Sequence, residues 1–431
     1  MSGIVEVWRA SQLSREARRR LFERRLQAEA LLSRVREVIE DVKARGDEAI
    51  RDFYESFYRI PRDTPIVIGE EEFEKALSKV SSRLTEALEE AASRIKEVAS
   101  RQLPPSLVLY DVSGALVGVA WRPVESVGVY VPGGGAAYPS TALMTVIPAL
   151  AAGVQEVAVA TPPGEEGEAN PAVLAALSIA GVRRAYRVGG AHAAAAMAYG
   201  TETVPRVCKI IGPGGSWFTA AKLALTGVVD MEFPAGPTEL VVLADSSADP
   251  RLVAHDMAAQ AEHGSDSFIA LVTTSERVAK EALSWLSKLV EELPRGGVVQ
   301  EALDKSGAVI LADSIDEAIE LVNEIAPEHL ELLVEDPWSV VSKVRNAGSV
   351  SVGHATPPAL VDYMLGSNHV LPTYSWAKAR GGLTVLDYMK PIYVNAAGKL
   401  PSHLYEKAAL IAREEGLEAH AQSIEARIRE L

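Results

Sequence analysis

The 431 residues are 48% hydrophobic and carry a formal net charge of −15, enough apolar material for more than one domain and a substantial core. The acidic balance argues against a nucleic-acid partner, which needs concentrated Lys and Arg, and no apolar run is long enough to span a bilayer. A small-molecule substrate suits this composition, and the amino terminus lacks the apolar stretch of a signal peptide, so the expected location is cytoplasmic.

Up to about residue 100 the pattern is charged and amphipathic, as in Leu21 to Phe57 and Glu71 to Val98, and predicts a helical lead-in. The most basic segment, Arg15 to Arg25, is interrupted by Glu16 and Glu23 and reads as the solvated face of a helix. From Val124 short β-branched runs alternate with Gly-rich turns and Ala- or Leu-rich helices, the pattern of a parallel sheet. Ser126 to Val131 leads through Gly133, Gly134 and Gly135 into a helix with Ser140 or Thr141 as its N-cap. Val154 to Ala160 follows, then Arg184 to Val188 ending in Gly189-Gly190, then Val207 to Ile211 ending in Gly212 to Gly215. Such turns let backbone N–H groups approach a phosphate, although none matches G-x-G-x-x-G and a tight turn explains each equally well. Cys208, the only cysteine, excludes an intrachain disulfide and is expected to be a buried, inert thiol on a strand.

A second series runs from Glu239 to Ala244 through a helix at Arg251 to Glu262, Phe268 to Thr273, a helix through Leu293, Ala308 to Ala312, a helix at Ile315 to Ile325 and Leu330 to Val334. The prediction is an α/β fold: two incomplete, doubly wound, Rossmann-like lobes, a helical N-terminal segment and a small helical C-terminal arm. Ligands of open α/β sheets bind outside the carboxyl ends of the strands, so both sets of strand ends are expected to face one cleft.

Gln260 and His263, three residues apart at a helix end, can converge on one metal ion, though taken alone such a pair is more often a polar helix end. Pro327 places Glu328 and His329, natural acid–base residues, at a helix-to-strand boundary. Asp362 is either a metal carboxylate or a turn residue, and His420 in the terminal helix reads alone as a surface histidine.

Taken in order, VGVYVPGGGAAYPS (127–140), VGGAHA (188–193), KIIGPG (209–214), PAGPTE (234–239), QAEHGSDS (260–267), APEHLEL (326–332), GSNHVLPT (366–373) and EGLEAHAQS (415–423) resemble the histidinol dehydrogenases over nearly the full length. These are zinc enzymes of the final two oxidations in histidine biosynthesis. The resemblance implies a homodimer with one Zn²⁺ per subunit, held by Gln260, His263, Asp362 and His420, the last from the neighbouring subunit. It implies that His329 takes the alcohol proton as hydride leaves for NAD, and that Glu328 helps water attack the aldehyde. Two NAD are consumed per substrate. Thr238, His369 and Glu415 match substrate contacts, as do His329 and the zinc ligands; Tyr130, His192 and Gly215 match cofactor contacts. The implied partition is an arm (1–24), a metal and substrate domain (25–123 with 239–383), an NAD domain (124–238) and a dimerisation arm (384–431).

Four positions depart from the family pattern: His192 replaces Gln, Gly215 replaces Asn, Thr238 replaces Ser and Pro358 replaces Glu. They leave open a related zinc- and NAD-dependent dehydrogenase of another small polar alcohol, such as a sulfonated diol. A metal hydrolase using Glu328 without a nucleotide, or a silent binding protein, are the readings from other classes.

Overall fold

The computed structural model describes residues 5–22, 31–133, 137–398 and 400–428. Gly134 and Gly135 of the first glycine turn, and Glu23 to Arg25 of the basic segment, lie outside the described residues. The chain divides into two compact units, Met1–Gln102 with Val124–Tyr388, and Leu103–Pro123 with Met389–Leu431.

The larger unit holds two six-stranded sheets. The first has the order Val67–Ile68, Ala185–Arg187, Glu156–Thr161, Ser126–Tyr130, Lys209–Ile211 and Asp230–Met231, parallel except for the antiparallel edge Val67–Ile68. The second, wholly parallel, has the order Glu6–Arg9, Gly307–Leu311, Phe268–Thr273, Glu239–Ala244, His329–Leu333 and Ser349–Val352. In each, the earliest of the helix-linked strands is central and the chain then winds both ways, the doubly wound plan expected.

Burial on both faces explains the near-continuous apolar runs of these strands. In the second sheet Leu240, Val242, Ile269 and Leu271 join one core while Val241, Leu243, Ala270 and Val272 join the other, the period of two expected of a pleated strand. Helix Leu32–Arg45 sends Val35, Ile39 and Val42 into the core of the first sheet, beside Ile66 and Tyr186. Packing thus groups residues 32–68 with the first sheet. The lead-in is not wholly helical: Glu6–Arg9 is an edge strand on the second sheet, where its backbone completes the ladder of Gly307–Leu311.

The smaller unit has the expected terminal helices and, before them, a sheet that was not expected. Its antiparallel sheet runs Met389–Ala396, Ala115–Pro123, Leu107–Val112, and the helices Ser402–Glu414 and Glu418–Ile428 follow. The strand Met389–Ala396 is exposed along nearly its whole length, so it lacked the apolar alternation that marks a half-buried strand. Among the described residues no helix is long and apolar enough to cross a membrane.

Candidate active site

Between the two sheets of the larger unit lies a cleft of about 330 Å³. Pro132, Pro213, Gly214 and Gly215, beyond the carboxyl ends of the first sheet, form one wall, and Gly236, Pro237, Thr238, Ser267, Glu328 and His329 form the other. These last residues precede or begin strands of the second sheet, so its amino ends face the cleft and the expectation that both sheets present carboxyl ends is corrected. The physical reason is a short connection: residues 232–238 lead from the last strand of the first sheet straight to the entrance of Glu239–Ala244, and Thr219 ties Ala235 to Gly214 on the way; the opposite edge carries turns closed by their own side chains. Asp245 Oδ1 accepts the Ser247 N–H at 2.8 Å, Asp245 Oδ2 accepts the Glu335 N–H at 2.9 Å, and Thr273 Oγ1 accepts the Ser275 N–H at 3.1 Å.

Glu328 is reached through Ala326, held at φ 51° as the helix Ile315–Ile325 ends, and Pro327, which forbids its continuation. Glu328 and His329 are 7% and 4% exposed. Glu328 is locked to Glu239 by reciprocal bonds: the Glu239 N–H donates to Glu328 Oε2 at 2.8 Å, and the Glu328 N–H to Glu239 Oε2 at 3.3 Å. Burial raises the Glu328 carboxyl well above its ordinary range, against the lowering effect of the Glu239 N–H, with Glu239 and Asp362 adding to the rise. Burial lowers His329 to about 4, opposed by Glu239, so its ring is neutral at pH 7. A neutral imidazole beside a carboxyl of raised pKa is an acid–base pair.

Below them, helix Pro250–Ala261 ends at Gln260 and His263 lies in the turn beyond, while Pro358–Tyr363 supplies Asp362. Gln260 Nε2 lies 3.5 Å from Asp362 Oδ2, and Asp362 Oδ1 lies 3.8 Å from His329 Nε2. Among the described residues, Gln260 Oε1 and Asp362 Oδ1 are buried acceptors with no hydrogen-bond donor. Two orphaned oxygens in a cleft also lined by His263 form a mixed O/N donor set that a cation would satisfy. Among the described residues no three His, Cys, Asp or Glu side chains gather as a metal group; the cluster has an amide in third place, and a further donor would have to be added to it. Burial raises Asp362, opposed by His369, His263 and Gln260, and the cleft walls lower His263, opposed by Asp362.

His369 Nδ1 lies 2.9 Å from the Asp362 carbonyl and Nε2 lies 3.2 Å from Thr141 Oγ1. In the neutral ring Nδ1–H donates to that carbonyl and Nε2 accepts from the Thr141 hydroxyl. Thr141 therefore does not cap its helix; Tyr138 holds the cap position and Pro139 the first turn. Glu239 was not read as a site residue and Thr141 only as a helix cap, although a carboxylate opening the run LVVLA, and hydroxyls at 141 and 145 in an apolar helix, were signals.

Of the expected cofactor residues, Gly215 lines the cleft, whereas Tyr130 and His192 are not among the lining residues: Tyr130 stacks on Phe218 at 4.0 Å and its hydroxyl accepts the Gly190 N–H at 3.2 Å. His192 stacks on Phe53, ring centroids 3.7 Å apart, and burial lowers it to about 4, against Asp41. Among the described residues a Cβ on Gly215 would meet nothing within 4 Å, so a side chain can start there without a clash. Thr238 lines the cleft, whereas Pro358 starts the Asp362 helix in the first turn, where a missing N–H costs no intrahelical bond. Cys208 is exposed rather than buried: the strand begins one residue later, at Lys209. Glu415 and His420 are exposed residues of the smaller unit and are not among those lining the cleft.

A two-lobed α/β frame with a backbone wall facing a buried Glu–His pair defines an enzyme. A family model described as histidinol dehydrogenase matches residues 22–428. Histidinol dehydrogenase of Methanopyrus kandleri is 45% identical over 407 residues, 92% of this chain and 94% of that protein; that of Bacillus subtilis is 43% identical, with coverages of 92% and 93%. The crystal structure of histidinol dehydrogenase from Elizabethkingia anophelis, 33% identical, superposes with a TM-score of 0.93 over 100% of this chain and 99% of that one. The chain belongs to the histidinol dehydrogenase family and is an oxidoreductase.

Proposed function

We propose that the enzyme oxidises L-histidinol through L-histidinal to L-histidine, passing two electrons to each of two NAD. The supporting observation is the buried Glu328–His329 pair beside the orphaned oxygens of Gln260 and Asp362. Zinc held by Gln260, His263, Asp362 and the partner subunit's His420 would supply a Lewis-acid anchor for the substrate's nitrogen donors. NAD against Tyr130, His192 and Gly215 would supply the hydride acceptor.

His329, neutral at pH 7, accepts the hydroxyl proton as hydride departs from the alcohol carbon, leaving the aldehyde. Glu328 then takes a proton from water as its oxygen attacks the aldehyde carbon. His329 gives its first proton to solvent; the hydrate then loses its second hydride as His329 receives a second hydroxyl proton, which leaves the carboxylate. His369, held by Asp362 and Thr141, and Thr238 orient the substrate, with Glu415 as a further contact. The Thr238 hydroxyl retains the hydrogen-bonding capacity of the family's Ser.

The test is NADH formed per L-histidinol consumed, with zinc and then with a chelator. Two NADH, lost on chelation, uphold the reading; folded, zinc-loaded protein that forms none overturns it. The homodimer is tested by mixing subunits lacking His263 with subunits lacking His420: recovered activity places His420 across the interface, and none despite verified exchange places it in its own subunit's site.

A further inference from the structure

The reaction scheme leaves a buried ionic group beneath the cleft without a role. Lys222 and Glu232 are 3% and 2% exposed, with Nζ 2.7 Å from Oε1. Nζ also donates to the carbonyls of Gly212 at 3.3 Å and Phe233 at 3.1 Å, which uses all three of its N–H groups. Glu232 Oε1 accepts the Gly212 N–H at 2.9 Å. Three residues before Lys222 on the helix Ser216–Ala224, Thr219 shares its hydroxyl between Gly214 O at 3.1 Å and Ala235 O at 2.9 Å.

One helix face thus ties together two loops that meet the cleft from different sides of the reaction. Pro213, Gly214 and Gly215 line it on the cofactor side, and Ala235 to Thr238 on the substrate side. A buried ion pair is seldom the most stabilising filling for such a space, because desolvation offsets its attraction. Its value here is directional: four carbonyls and one N–H, divided between the two loops, are held by three side chains.

We propose that Lys222, Glu232 and Thr219 are positioning residues that set the separation of the cofactor loop from the substrate loop. The proposal rests on the reading of this cleft as a NAD-dependent dehydrogenase site. Hydride transfer requires the reacting carbons at about 3–3.5 Å, and misplacement by about 1 Å costs on the order of a hundredfold in rate. A tie between the loops that carry the two reactants acts on that distance.

Removing Lys222 alone would strand Glu232 as a buried charge and risk unfolding, so the informative pair is Thr219→Val and Thr219→Ser. Valine keeps the shape and deletes both hydrogen bonds; serine keeps them. With NAD and L-histidinol varied separately, Thr219→Val should lower kcat/KM for NAD roughly 10- to 100-fold while KM for L-histidinol at saturating NAD changes by less than about threefold. Thr219→Ser should restore the wild-type value. Hydrogen exchange should quicken together in peptides covering 212–215 and 233–238 of the valine variant only. A valine variant with wild-type kcat/KM for NAD, or a serine variant as impaired as valine, overturns the proposal. If the wild-type enzyme forms no NADH, the functional reading fails instead; the exchange experiment then still decides, concerted loosening upholding the tie and unchanged exchange overturning it.

Discussion

The first sheet meets the cleft with the carboxyl ends of its strands and offers mainly backbone; the second meets it with amino ends and offers ionisable side chains. Pro213, Gly214 and Gly215 bring almost no side-chain chemistry, whereas Thr238, Glu328 and His329 stand at strand entrances with their protonation set by burial. A backbone wall suits a ligand held by its general shape and charge, such as a dinucleotide. A wall of buried titratable groups suits the bonds that change. One doubly wound plan, used twice, presents two different walls because opposite edges are turned to the cleft.

The asymmetry is open to direct attack. His329→Asn should cost the most, lowering kcat by roughly 10²- to 10⁴-fold with the fold retained, because a positioned general base contributes that much; steady-state rates with circular dichroism check it. A fall below tenfold would move the chemistry off the second wall. Next, Gly212→Ala probes the backbone wall: a Cβ would lie 2.3 Å from the Tyr130 carbonyl, at φ +126°. The expected destabilisation is at least about 2 kcal/mol, read by denaturant unfolding.

Gly215→Asn should be much milder. Its space is open and its φ is −63°, so stability should change by less than about 0.5 kcal/mol. If this position contacts the nucleotide, the added amide should lower KM for NAD a few-fold; an unchanged value would remove Gly215 from the cofactor site. A separate effect, read as a slope and not as a single value, is in pH dependence. His192, lowered to about 4 by burial, binds protons less readily folded than unfolded, where its value is about 6.5. Its contribution to stability is therefore complete above pH 6.5 and lost as the pH falls towards 4. His192→Gln should flatten the unfolding midpoint across that window, and an undiminished slope would assign it to other groups.

Much of the site was legible because its signals are local. Gln260 with His263, Glu328 with His329, and the glycine turns are short-range patterns whose chemistry follows from spacing and residue type. Glu239 was not legible as part of the site, since its role arises from bonds with Glu328, 89 residues away, and with the Tyr374 N–H, 135 residues away. Thr141 with His369, 228 residues apart, and the Lys222–Glu232 pair beneath the glycine turn are of the same kind.

By itself the sequence determined the alternation of strands and helices, the two-lobed parallel plan and the residue types that could do chemistry, because periodicity and turn geometry act over a few residues at a time. Only the tertiary structure decided that residues 32–68 pack on the first sheet, that Cys208 is exposed, that the stretch after Met389 forms an antiparallel strand, and that the second sheet turns its amino ends to the cleft. Those outcomes depend on strand partners and loop hydrogen bonds far apart in the chain, and no local pattern of apolar and polar residues encodes which edge of a sheet will face its neighbour.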